Sequence, residues 1–443
     1  MHGKHRARTI AILGPFGWGN LGDAAIQDAV LAQISSRRTD VRIVRIIGIS
    51  LVPSDTRARH GIETYAYDAD AFAHRRWDTA GKEGATGGFS ASTNLSGKMR
   101  AFLERAKHSL SWRFPRVWRI LCEAGHAAYV ARILTKVDLL LISGGGQLDE
   151  FWGGAWHHPF TLFKWTAMSR LTRTTVAFLS VGAGSITSPV SRWFLRRALR
   201  TARYRSYRDA GSKAIVQERL GPDFDDPVVP DMAFALPVSV SPPSGDRAKR
   251  LVIAVGPMPY CDPRVWPRKD RPTYERYLNL LAEFCQRMML ADVTLKFFVG
   301  EAHQDPPVVG DVLETLASRG ADRSSPRIVV PRIESVRDLV ACLSDADFVI
   351  ASRFHGALLS LLLRRPVLAL SYERKVRQLM TDLGQASFCL DIERTAIGDM
   401  MEKFAEIQAK RESITRELDL RVGRETGAVL AQFDRVITRL LPA

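Results

Sequence analysis

The chain has 443 residues, too many for one ordinary hydrophobic core, so two domains are expected. Its 46% hydrophobic and 25% charged content exclude a disordered or fibrous chain. A formal net charge of +16 asks for an anionic partner, while five scattered cysteines without metal-ligand spacing exclude a disulfide framework.

Short apolar runs alternate with helical patterns, the rhythm of parallel sheets flanked by helices. Residues 9–14 (TIAILG) read as the first strand, which breaks on Gly14-Pro15 and passes Gly17, Gly19, Asn20, Gly22 and Asp23 into a helix. That strand–loop–helix unit offers unpaired N–H groups and a partial positive charge to phosphate or carboxylate. It has neither the G-x-G-x-x-G dinucleotide signature nor the Walker Gly-Lys-Ser/Thr, and a plain tight turn explains the glycines equally well. Further strands are expected at 41–47, 137–144, 175–182, 203–208 and 227–230. Residues 53–136 interrupt the rhythm, opening polar and glycine-bearing and ending helical and basic.

Residues 236–250 (LPVSVSPPSGDRAKR) have linker composition, and a second strand series follows at 251–256, 293–300, 327–331, 347–352 and 366–371. The expectation is an α/β chain of two Rossmann-like domains facing across a cleft. The N-terminal domain takes residues 1–238 with a helical basic insertion at about 53–136, the C-terminal domain takes 251–395, and helices occupy 396–443. Ligands prefer the crevice that two such sheets present at their strand ends.

The charge is concentrated. Residues 98–136 hold nine Lys/Arg against Glu104 and Glu123, and residues 191–208 hold seven Arg and no acid. No zinc-finger, RNA-recognition or helix-turn-helix signature accompanies them, which ranks nucleic acid low. Arginines interleaved with Trp112, Phe114 and Trp118 suit either an interfacial helix on an anionic membrane or a solvated helix face. The N-terminal apolar run is too short for a signal segment, and no stretch approaches the ~20 apolar residues of a membrane span. A cytoplasmic location is expected, with peripheral contact at the inner face of the membrane as its extension.

Several strand ends carry chemistry. In LLLISGGGQLDEFWGG (139–154), Gly144, Gly145 and Gly146 open the backbone to a ligand or to close packing, and SVGAGSI (180–186) repeats the design. Arg208 ends a strand in SYRDAGS, where it suits a carboxylate or phosphate, or an ion pair with Asp209 or with Asp231 of VVPDMAFALP. The sharpest stretch is DADFVIASRFHGALLSLLLRRPVLALSYERKV (345–376). A buried strand ends at Ser352, and Arg353, Phe354, His355 and Gly356 form the turn into an apolar helix whose dipole stands behind them. Tyr372, Glu373 and Lys375 follow the next strand and are placed to line the same mouth. His303 and Asp305 end another strand, and no pair there has metal-binding spacing.

The ordered set GNLGDAAI (19–26), DLLLISGGGQLDE (138–150), SVGAG (180–184), SYRDAGS (206–212), PDMAFALP (230–237), HQD (303–305) and SRFHGALLSLLLRRPVLALSYERKV (352–376) resembles the polysaccharide pyruvyl transferase family over nearly the whole chain. The resemblance implies a fold similar to GT-B glycosyltransferases. It also implies transfer of pyruvate from phosphoenolpyruvate onto a sugar as a cyclic ketal, with no cofactor beyond that donor. Arg208 and Arg353 match donor-binding arginines of the family, and His355 matches the histidine of its R-x-H-G turn. His355 is then either the acid/base, since an unperturbed imidazole titrates near ~6.5, or a cationic phosphate ligand. Lys375 is a third cation and Asp23 a base for a sugar hydroxyl. The segment 53–136 and Trp18 depart from the family pattern and leave the acceptor open.

The acceptor expected is a glycan of exopolysaccharide or cell-wall assembly, or its lipid-linked precursor. A GT-B-like glycosyltransferase using a nucleotide sugar is the main alternative, with Asp305 or Glu373 as its ribose ligand. A non-catalytic anion-binding or scaffold protein of glycan assembly is the other.

Overall fold

The computed structural model describes residues 8–14, 19–47, 63–66, 68, 115–151, 153–240, 250–291 and 293–441. Gly17, Trp18, linker residues 241–249 and most of the segment 53–136 lie outside them. Two compact units share the chain. One comprises Met1–Gly17, Ser35–Val228 and Asp434–Ala443; the other comprises Trp18–Ile34 and Val229–Phe433. The units therefore interleave along the sequence: the first helix, up to Ile34, counts with the C-terminal unit, although the sequence reading drew its boundaries in chain order.

In the first unit the strands are β1 (Thr9–Leu13), β2 (Arg42–Ile47), β3 (Glu63–Ala66), β4 (Leu139–Ser143), β5 (Thr175–Val181) and β6 (Tyr204–Tyr207). They form one sheet in the order β3-β2-β1-β4-β5-β6, with every pairing parallel. Ile10–Leu13 and Leu139–Ile142 are wholly buried, which is why these strands read as unbroken apolar runs rather than as alternations. At ~1.5–3 kcal/mol per large aliphatic side chain, they anchor the unit. Helices α2 (Pro115–Leu134), α3 (His158–Thr172), α4 (Pro189–Thr201) and α5 (Ala210–Leu220) belong to this unit. Trp165 of α3 and Leu195 of α4 enter the same core as Phe178 and Tyr207.

Two sequence expectations change here. Segment 53–136 is not wholly an add-on, because β3 extends the sheet beside β2 and α2 packs on α3. Residues 227–230 are not a strand: Pro227 and Pro230 carry no N–H, and only a bridge from Val228 to Tyr207 forms.

The second unit repeats the plan. Its strands β7 (Val252–Gly256), β8 (Thr294–Phe297), β9 (Ile328–Val329), β10 (Phe348–Ala351), β11 (Val367–Ser371) and β12 (Cys389–Asp391) order as β12-β11-β10-β7-β8-β9. Counted from β7, this is the same 3-2-1-4-5-6 arrangement as in the first unit. All of its pairings are also parallel. The chain reverses direction of growth between β7 and β10, and ligands of open α/β sheets sit beyond the carboxyl ends of strands at such a switch point.

The helices of this unit are α1 (Leu21–Arg37, through Ile34), α6 (Arg271–Leu290), α7 (Asp305–Ser318), α8 (Val336–Ser344), α9 (Phe354–Leu362), α10 (Arg374–Asp382), α11 (Ile397–Ala409) and α12 (Arg411–Leu440, through Phe433). Among the described residues, no helix is long and apolar enough to cross a membrane.

Candidate active site

The switch point of the second unit is the turn from β10 into α9. Eight of the nine residues of α9 are buried, so the helix is held against β10 and β11 by its own apolar surface. Arg353 is its N-cap in extended backbone and makes no capping bond with its side chain. The guanidinium instead reaches Asp305, the first residue of α7. Nε donates to both carboxylate oxygens at 2.8 Å, and Nη2 donates to Oδ1 at 2.5 Å.

Asp305 is completely buried, and its Oδ2 also accepts the backbone N–H groups of Gly300 and Glu301, each at 2.8 Å. Burial works against the charge on Arg353, yet Asp305, with help from Tyr372 and Glu301, raises its pKa above the ordinary guanidinium value. The cation is permanent, fixed in direction, and presents its Nη1 edge. Among the described residues no protein group accepts a hydrogen bond from that edge.

His355, one turn position further, faces Asp231. Nε2 lies 3.8 Å from Oδ2, which is charge-pair contact and too long for a hydrogen bond. Asp231 is 2% exposed and is itself the N-cap of a short 3-10 turn (Met232–Ala235), its Oδ1 accepting from the Ala233 N–H at 3.0 Å. The carboxylate is thus aimed by backbone at the imidazole.

The head of α1 closes on this turn. Asn20 caps the helix, its Oδ1 accepting from Gly22 N–H at 3.0 Å and Asp23 N–H at 3.4 Å, so the cap is Asn20 rather than Asp23. Gly19 and Leu21 pair with the loop after β8: Ala302 N–H donates to Gly19 at 2.9 Å, and Leu21 N–H donates to Gly300 at 2.9 Å. Gly19 has φ +77°, and a Cβ there would stand 2.7 Å from Glu301 Oε1 and 2.8 Å from the His303 ring. Gly22 is tighter still. A Cβ would fall 1.9 Å from Nδ1 of His355, so the imidazole rests directly on the helix backbone. The glycines of this loop therefore let two segments approach closely, and they hold the candidate histidine.

Tyr372 stands after β11 in a cluster with Tyr260 (ring centroids 5.3 Å apart) and Trp266 (5.4 Å). Its phenol is pushed up by burial and then by the neighbouring Glu373. Glu373 also takes Lys375, Nζ to Oε2 2.7 Å, so Lys375 is a paired cation, and Asp305 and Glu373 are both committed to protein partners. A cavity of about 530 Å³ in this unit lies elsewhere, lined by Asp347, Arg365, Pro366 and Arg411 before the amino ends of β10 and β11. That cavity lies at the opposite ends of the strands from the switch point, where ligands of such sheets bind. Among the described residues no group of three or more His, Cys, Asp or Glu has metal-binding geometry.

The first unit carries the other predicted residues. Gly144 and Gly145 follow β4 with φ 55° and 63°, and Gly146 faces open space. Gly145 accepts from the Gly182 N–H at 2.8 Å, tying the triple-glycine loop to the end of β5. There Ser180 sits at φ 49° beside a register shift, a strained bulge that turns the strand end. Arg208 directly follows β6, with its guanidinium over Gly182, whose added Cβ would stand 2.8 Å from Nη2. Its Nε is 3.4 Å from Asp209, which caps α5 through Ser212 N–H at 2.6 Å. Nearby, Glu150 is opposed by burial but held at about 2 by donors from Ser191, Thr187 and Ser188.

The structure brings Gly19, Asn20, Asp231, Arg353 and His355 together within the second unit, with Asp23 in the same helical turn. It places Arg208 with Gly144 and Gly145 at the strand ends of the first. Gly17 lies outside the described residues. Sequence reasoning missed Asp305 as the partner of Arg353 and Gly22 as the seat of His355. The HQD triplet was the signal for the first; nothing local signals the second.

The family model for polysaccharide pyruvyl transferases matches residues 20–374. No match was found among curated proteins. Among solved structures, S. aureus MnaA, crystallised with UDP, is 10% identical, with 98% of each chain covered and a TM-score of 0.55. The Candida albicans trehalose-6-phosphate phosphatase N-terminal domain is 11% identical over 100% of this chain and 98% of its own, with a TM-score of 0.53. The UDP-GlcNAc 2-epimerase of Neisseria meningitidis bound to UDP-GlcNAc is 10% identical over 97% and 100%, with a TM-score of 0.52. At this identity the likeness is one of fold, the GT-B-like pair of parallel α/β sheets.

Proposed function

Because the chain belongs to the polysaccharide pyruvyl transferase family, we propose that it moves pyruvate from phosphoenolpyruvate onto a sugar as a cyclic ketal. The acceptor in this reading is a glycan of exopolysaccharide or cell-wall assembly, or its lipid-linked precursor, at the cytoplasmic face of the membrane. The observation that carries it is the turn into α9, where a buried carboxylate fixes a guanidinium and a second carboxylate faces an imidazole.

The chemistry follows from the donor. Phosphoenolpyruvate carries a phosphate and a carboxylate, and the Nη1 edge of Arg353 with the α9 N-terminus suits one of these anions. Protonation of the methylene carbon makes the central carbon electrophilic. One sugar hydroxyl adds there, phosphate departs, and a second hydroxyl closes the ketal. One hydroxyl proton replaces the proton given to the methylene carbon, and the other leaves with phosphate. His355 is assigned the proton transfers, with Asp231 orienting the ring. Asp23, in the first turn of α1, is assigned to the sugar hydroxyl. Arg208 is carried as a donor ligand by the family resemblance, with Lys375 as a further cation. No cofactor is required.

The test is phosphate release from phosphoenolpyruvate by purified protein against a panel of glycan and lipid-linked acceptors, with mass analysis of the sugar product. Release of UDP or GDP from a nucleotide sugar, with no phosphate release across the panel, would replace this reading with a glycosyltransferase.

A further inference from the structure

We infer that the outer surface of α3 and α4 in the first unit docks the protein onto an anionic lipid bilayer. This adds a docking surface and a lipid class to the membrane location in the transferase reading, which assigns neither.

The two helices contain no Asp or Glu. Five rings run across them in continuous contact, from Trp156 through Phe160 and Phe194 to Phe163 and Trp193, with neighbouring centroids 5.1–5.5 Å apart. Phe194, at 4% exposure, roots the cluster in the core, while Trp156 is 59% and Trp193 49% exposed, and Leu171 at the end of α3 is 73% exposed. On α4, Val190, Trp193, Arg197 and Arg200 follow the three-and-four spacing of one helical stripe. The Arg197 guanidinium lies 5.6 Å from the Trp193 ring centroid.

The cations are only partly neutralised. Asp223 takes Arg200 at 3.3 Å and Arg196 at 4.0 Å, and Lys164 is buried against Glu123 at 2.5 Å. Arg192 donates to the Thr187 carbonyl at 2.8 Å, and Arg197 stays exposed on the ring.

The mixture selects the occupant. Indoles with one polar edge settle at the level of lipid headgroups, arginines pair with anionic lipid phosphates, and exposed Leu171 and Val190 gain by entering the acyl boundary. A nucleic acid would use the arginines and rings but leave those aliphatic side chains wet.

The experiment sediments the full-length protein, without donor or acceptor, with vesicles of phosphatidylcholine alone or containing about one third phosphatidylglycerol, from roughly 25 to 300 mM NaCl. Binding is expected to the anionic vesicles alone and to weaken with salt. R197Q should lower the partition coefficient about fivefold, as removal of one surface cation does, and R196Q/R197Q more than tenfold. W193S should lower it similarly, with unchanged far-UV circular dichroism showing that the fold persists. The glutamine variants are surface changes and keep the test valid if W193S does not fold. Equal binding to neutral vesicles, anionic binding unmoved by all three variants, or retention of RNA at about 150 mM salt without vesicle binding would each overturn the proposal. Because no donor is present, failure here and failure of the transferase reading are separate results.

Discussion

The closest approach in the candidate site sets its sharpest test, Gly22→Ala. The added methyl would lie 1.9 Å from Nδ1, 2.2 Å from Cγ and 2.5 Å from Cβ of His355. Carbon atoms rest at about 3.5–4.0 Å from their neighbours, so the imidazole must retreat by about 1.5 Å or rotate away from Asp231. A misplacement of about 1 Å costs a catalytic group on the order of a hundredfold in rate, about 2.7 kcal/mol of transition-state stabilisation. Stability should respond differently. Replacing a helical glycine gains up to about 1 kcal/mol, while forcing a methyl into a packed contact costs about 1–3 kcal/mol, so a net loss of up to about 2 kcal/mol is expected.

The assay is initial-rate phosphate release beside a thermal melt. Gly423→Ala is the control: it lies in α12, and an added Cβ there meets nothing within 4 Å. That control should melt slightly higher and work at the parent rate, whereas Gly22→Ala should lose about two orders of magnitude in rate with a melt lowered by no more than a few degrees. If Gly22→Ala keeps a rate within threefold of the parent, His355 is not the proton-transfer group.

Asp305→Ala should cost about 3–5 kcal/mol in denaturant unfolding, because it strands the buried Arg353 charge and two backbone N–H groups; a loss below about 1 kcal/mol would mean that the pair is not structural. Arg353→Ala should weaken donor binding by about 2–5 kcal/mol by calorimetry, and an unchanged affinity would remove Arg353 from the donor site. Arg208→Ala should likewise weaken donor binding while leaving the melt within a few degrees, and full affinity would remove Arg208. Burial pushes the His158 imidazole down to about 4 from its ordinary 6.5, although its Nε2–H donates to the Gln147 carbonyl at 2.8 Å. The unfolded chain then binds the extra proton first, so up to about 2–3 kcal/mol of stability present above pH 6.5 is lost on acidification toward pH 4. His158→Gln should flatten that limb of the melting-temperature profile, and an unaltered slope would contradict the assignment.

What the sequence made legible follows from burial. β1, β4, β7, β10 and β11 are covered on both faces, so each is a short apolar run between turn residues, and a pattern reading finds them. β3 (ETYA) and β12 (CLD) close the sheet edges, where polar residues are tolerated and the apolar signal vanishes. The site divides in the same way. Arg353 and His355 stand out because a charged turn interrupts two apolar elements, a contrast written within ten residues of sequence.

Asp305 and Gly22 carry no such contrast. An aspartate at the start of a helix reads as an ordinary first-turn acid, and a glycine after an Asn cap reads as a turn. Their roles exist only once parallel pairing sets β8 and β10 on either side of β7 and brings the loop at Gly300 against Leu21. A reading of the chain alone therefore recovers the candidate site groups better than the residues that aim them. Aiming depends on distances between segments far apart in sequence, and the carboxylate behind Arg353 and the bare backbone under His355 are set by those distances alone.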